Sequence, residues 1–97
     1  MHQAVDAKVE EAIRDIVLRA MGPVGVRSVS VTPGTDHDGD EVLRVTVHYT
    51  DDVRPVNTGV MSALVSDIRS KLWAMGEDRF PHVRHDFPVE PKVVGFR

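Results

Sequence analysis

Glu41 to Thr50 is the stretch that most limits how this chain can fold. From Leu43 onward its residues alternate: Leu43, Val45, Val47 and Tyr49 fall on one side, and Arg44, Thr46, His48 and Thr50 on the other. A period of two, rich in β-branched residues, specifies a strand with one buried and one polar face. Such a strand needs neighbours in a sheet and an apolar layer against its inner face.

That layer is legible on both sides of the strand. Ala4 to Met21 is predicted as an amphipathic helix, with Val5, Val9, Ala12, Ile13, Ile16, Val17 and Ala20 on one face. Glu10–Arg14 and Asp15–Arg19 are i,i+4 pairs worth a few tenths of a kcal/mol each, so burial holds this helix. Gly22-Pro23 is expected to end it. A second helix is predicted from Thr58 to Met75, capped by Asn57 or Thr58, with Met61, Leu64, Val65, Ile68, Leu72 and Met75 as its stripe. Gly76 follows as a C-cap, and Trp73, at the stripe's edge, is expected to be half-buried.

Two further strands complete the pattern. Val24–Thr32 precedes a turn-rich loop over 33–40, so the first two strands form a hairpin. His82–Phe87 is the third strand, with Val83, His85 and Phe87 inward and His82, Arg84 and Asp86 outward. The order α-β-β-α-β predicts an α+β fold with two helices packed on one face of a three-stranded sheet. Residues 1–91 form the single domain, and 92–97 a short apolar C-terminal tail.

Composition narrows the function. The 97 residues include no cysteine, which removes disulfides, thiolate nucleophiles and cysteine-ligated metals. The formal charge of −3 gives no global attraction for nucleic acid or acidic membranes. No apolar run has the length of a membrane span, and the start lacks a signal-peptide core, so a cytoplasmic protein without a membrane partner is expected.

Chemistry-bearing motifs are sparse. Asp36, Asp38 and Asp40 have the 1,3,5 spacing of a calcium loop, but Glu41 stands where glycine belongs and Val47 where the bidentate glutamate belongs. A solvated hairpin loop is the expectation. His48 and His82 would share the outer face if the second and third strands are neighbours, and with Asp86 could suit zinc only by converging. Ser62, Ser66 and Ser70 lie on one polar helix stripe, and no nucleophile elbow or phosphate-binding loop is present. No cofactor, metal or enzymatic activity is expected.

Two family resemblances add expectations. The element order resembles the KH-like domain of ribosome-binding factor A. Val29-Ser-Val-Thr-Pro33 resembles the end of that family's first strand, and Ile68-Arg-Ser-Lys-Leu72 followed by Arg79-Phe-Pro-His-Val-Arg84 resembles its second helix and third strand. This resemblance implies binding to structured RNA through Arg27, Arg44, Arg54, Arg69, Lys71, Arg79 and Arg84. Closer locally, Asp38 to Val47 and Gly76 to Pro81 resemble small uncharacterised bacterial proteins of toxin–antitoxin-like two-gene pairs, which implies an antitoxin-like role and carries no functional residues. The leading expectation is a non-catalytic interaction module that binds a partner protein or itself. Its contact residues would be Arg44, His48, His82 and Arg84 on the open sheet face, and Val93, Val94 and Phe96 in the tail. A KH-like RNA-binding factor is the alternative.

Overall fold

A computed structural model of the chain describes residues 4–52, 54–88 and 93–94. The first element is helix α1, Ala7–Gly25. The Asp6 carboxylate accepts the Lys8 N–H at 2.7 Å and caps it. Val9, Ile13, Val17 and Met21, four apart, are its buried line. Both expected ion pairs form, Glu10–Arg14 at 3.8 Å and Asp15–Arg19 at 2.9 Å.

The helix does not stop at Gly22-Pro23; it runs on to Gly25. Pro23 removes one intrahelical bond, at a position exposed to water. The last carbonyls find partners elsewhere: Val24 accepts the Arg54 N–H at 2.8 Å, and Gly25 accepts the Thr50 N–H at 2.9 Å. Gly25, with φ of 113°, makes the left-handed exit expected of Gly22.

Strands β1 (Val26–Thr35) and β2 (Glu41–Tyr49) form the antiparallel hairpin. The pairing slips between Val26 and Ser28 and otherwise runs through to Thr35 opposite Glu41. Pro33 and Gly34, expected in the loop, belong to the strand. β1 lies at the sheet edge, where a proline is tolerated. At Gly34 a Cβ would collide with the Arg44 side chain, whose Nη2 donates to the Thr35 carbonyl at 2.6 Å. Glycine there lets Arg44 lie across the neighbouring strand.

After β2 come the short strand β3 (Val56–Asn57) and helix α2 (Thr58–Ala74). The Asn57 side chain accepts the Gly59 and Val60 N–H groups at 2.8 and 3.3 Å, so Asn57 is the cap. Leu64, Ile68 and Leu72 are its buried line. Trp73 is 78% exposed, not half-buried, and Met75 is 37% exposed. Trp73 follows Leu72 by one residue, a rotation of about 100°, which swings it off the buried line. Gly76, with φ of 83°, follows the helix as expected.

Strand β4 (Phe80–Asp86) begins two residues before the predicted start and lies parallel to β2. The sheet order is β1-β2-β4, with β2 central. The helices cover its inner face, where Val29, Val31, Leu43, Val45, Val47 and Tyr49 join the two helical lines in one core. Each such side chain contributes about 1.5–3 kcal/mol by burial. This is the expected α+β arrangement. One addition is β5 (Val93–Val94), which pairs in parallel with β3 as a separate two-stranded ribbon.

Candidate interaction surface

The parallel register of β2 and β4 builds the outer face. It sets Arg44 opposite His82, Thr46 opposite Arg84 and His48 opposite Asp86. Arg44, His48, His82 and Arg84 therefore share one face, as the alternation requires. The same register keeps the two histidines apart. His48 and His82 lie four positions from each other, about 13 Å along the strands, so they do not converge on a metal.

His48 instead joins all three strands. Its Nδ1 lies 3.1 Å from Asp86 Oδ2, and its Nε2 lies 3.3 Å from Ser30 Oγ. The order serine, histidine, carboxylate is that of a nucleophilic relay. The surroundings differ. Ser30 and Asp86 are exposed, and β2, with partners on both sides, spends its backbone N–H groups on the ladder and so offers no donor pair to an oxyanion. The arrangement can order three polar side chains and present them to a partner. Sequence reading missed it because it needs the β1–β2 and β2–β4 registers together.

Beside this face, where α2 ends and β4 begins, lies a groove. Ser66, Arg69, Trp73 and Phe80 are among the residues around about 440 Å³ of space. Phe80 is 42% exposed, and the Arg69 guanidinium lies over its ring at 4.9 Å, a cation–π arrangement. The groove wall is braced by Glu77 and Arg79, which pair through two bonds of 2.8 and 2.9 Å. Their side chains are 12% and 9% exposed. The Arg79 guanidinium holds the Glu77 carboxyl below its ordinary range. Sequence alone marked this segment only as polar, because a bidentate pair two residues apart depends on the turn that joins α2 to β4.

A second groove, of about 680 Å³, continues past Phe80 to the hairpin loop and has Val42 in its lining. Val42 is on the outer face yet only 1% exposed, so the face is walled at this end. The loop's carboxylates stand along it. Asp36 accepts the Asp40 and Asp38 N–H groups at 2.9 Å each, and these bonds, the Asp40 one foremost, hold its carboxyl below the ordinary range. Ligand oxygens of Asp36, Asp38 and Asp40 lie within 4.8 Å of one another, as a hairpin loop of this spacing allows.

The remaining expected contacts divide. The backbone of Val93 and Val94 pairs with Val56 and Asn57, so these two residues return to their own domain. Phe96 lies outside the described residues. Of the cations implied by the KH-like resemblance, Arg79 is bound to Glu77 and Arg44 to the β1 backbone. Among the described residues no helix is long and apolar enough to cross a membrane. Comparison with protein-family models, curated proteins and solved structures gives no match to this chain.

Proposed function

We propose that this chain is a non-catalytic interaction module that binds a partner protein or a second copy of itself through the outer sheet face and the groove beside it. The observation that carries this reading is the pair Trp73 and Phe80, 78% and 42% exposed at one groove. Among the described residues twelve side chains fall below 2% exposure, and although Leu18, Val60 and Met75 are also exposed, none approaches Trp73. A tryptophan left in water makes no contribution to that core. Tryptophan and arginine are the residue types that most often dominate binding energy at interfaces, and Arg69 stands on the same groove.

The test is capture from native lysate, with and without ribonuclease, beside sedimentation of the purified chain. Trp73→Ala is expected to abolish a stoichiometric, nuclease-resistant partner or the self-association, while the fold persists by circular dichroism. Binding that vanishes with RNA would replace this reading by the KH-like alternative. Unchanged binding by Trp73→Ala would move the contact away from the groove.

A further inference from the structure

We infer that the occupant of the groove is a basic, apolar segment of a partner protein, with a hydrophobic side chain seated on Trp73 and Phe80 and a lysine or arginine directed along the continuing acidic cleft. This deepens the reading above and rests on it.

The argument is one of shape and charge. The two grooves share Asp78, Arg79 and Phe80 and so adjoin along that segment, the pair together making a trough with two ends. Its apolar end is α2's exposed Trp73 with Phe80. Its other end is bounded by Asp36, Asp40, Glu41 and Asp78. Counting Glu77 as well, the lining holds five carboxylates against two guanidiniums. That excess equals the formal charge of the whole chain, yet it is gathered on one trough. One guanidinium, Arg79, is bound by Glu77, and the other, Arg69, lies over Phe80. Arg69 is thus engaged at the apolar end, whereas the charge of Arg79 also acts on Glu41 and Asp78 and offsets part of the acidic end.

The trough's two ends match the two halves of a long basic side chain's environment. Lysine and arginine carry apolar stems and charged heads. Phe80 can take the stem, and the carboxylates can take the head. An acidic segment or a nucleic acid backbone would meet like charge here, which disfavours such a partner. A segment that is basic but lacks an apolar anchor would leave Trp73 in water.

Trp73 is the only tryptophan of the chain, so its fluorescence reports the site directly. The probes are three short synthetic peptides: alternating lysine and leucine, alternating glutamate and leucine, and alternating lysine and glycine. The lysine–leucine peptide is expected to shift Trp73 emission to the blue and shield it from iodide. The glutamate–leucine peptide should do neither, and the lysine–glycine peptide should bind weakly. In the triple variant Asp40→Asn, Glu41→Gln, Asp78→Asn, affinity for the lysine–leucine peptide should fall about tenfold, and added salt should weaken the parent's binding. None of these three carboxylates braces the turn as Asp36 does, and the variant's unfolding midpoint checks that it folds.

An unmoved Trp73 spectrum, equal binding of the glutamate–leucine peptide, or indifference to the triple neutralisation overturns the inference. If Trp73→Ala abolishes partner capture or self-association while the triple variant retains it, the basic segment is excluded and the interaction module stands. If neither variant changes assembly, the basic segment is excluded and the module's contact lies away from the groove; if the parent chain neither captures a partner nor self-associates, the module reading itself fails.

Discussion

His48 and His85 stand on neighbouring strands, one register position apart, on opposite faces of the sheet. The inner one, His85, lies with its Nδ1 2.7 Å from the Tyr49 hydroxyl, and Phe87 stacks on Tyr49 at 4.3 Å. Water is largely excluded, and burial pushes the His85 pKa below 6.5. The same burial pushes the Tyr49 phenol up to about 12. The outer one, His48, sits between Ser30 and Asp86 with solvent beside it. One residue type thus serves two ends. Where the helices cover the sheet, a polar ring must be neutral and paired, and it contributes to stability. Where they do not, the same ring stands in water between two polar side chains and costs the fold little.

The sharpest way to break this contrast is at the covered face. Ile68→Ala removes a fully buried side chain and should cost about 2–5 kcal/mol in urea unfolding. A loss below 1 kcal/mol, in order of magnitude, would mean that the core is looser than its burial implies. Next comes the brace: Glu77→Ala leaves Arg79 without its bidentate partner and should cost about 2 kcal/mol. Tyr49→Phe deletes the hydroxyl facing His85 and should cost about 1 kcal/mol.

The pH dependence sharpens the same comparison. The unfolded chain protonates His85 near 6.5 while the folded chain resists, so the unfolded state binds more protons and stability falls as pH drops below that value. In alkali the folded phenol keeps its proton to about 12 while the unfolded one ionises near 10.0. Tyr49's contribution is therefore complete below pH 10 and lost as pH rises to about 12. Unfolding midpoints across both ranges check this, and His85→Leu and Tyr49→Phe should each flatten one limb. The smallest effect belongs to the outer face: His48→Ala should change stability by less than about 0.5 kcal/mol. A larger loss there would show that the outer ladder helps to hold the strands.

The covered half of the molecule could be read from sequence because burial writes itself in periodicity. Ile13, Val17, Leu64 and Ile68 recur at helical spacing, and Leu43, Val45 and Val47 at strand spacing. The end of α1 could not, because its last carbonyls, Val24 and Gly25, are satisfied by the Arg54 and Thr50 N–H groups, and those residues are remote in sequence. The groove was hidden for a similar reason. Trp73 stood one position from the stripe, where one turn of geometry separates core from solvent. The acidic loop was visible as composition, but its place beside Phe80 follows only from the parallel pairing of β4 with β2. Ser30, His48 and Asp86 could each be assigned to the outer face, and their contact awaited the registers.

That parallel pairing also predicts an order of events in folding. β1 and β2 are joined by a short loop and can pair early, because closing such a loop costs little entropy. β4 can reach β2 only after the chain has passed through α2, a much longer closure that α2's docking must reward. The trough draws one wall from the early hairpin and the other from the late strand. Chains in which β4 has not yet docked would hold the acidic loop and Trp73 without holding them together. Recognition through the trough would therefore wait on that long-range step of folding, and a partner that read it would select molecules in which β4 has docked.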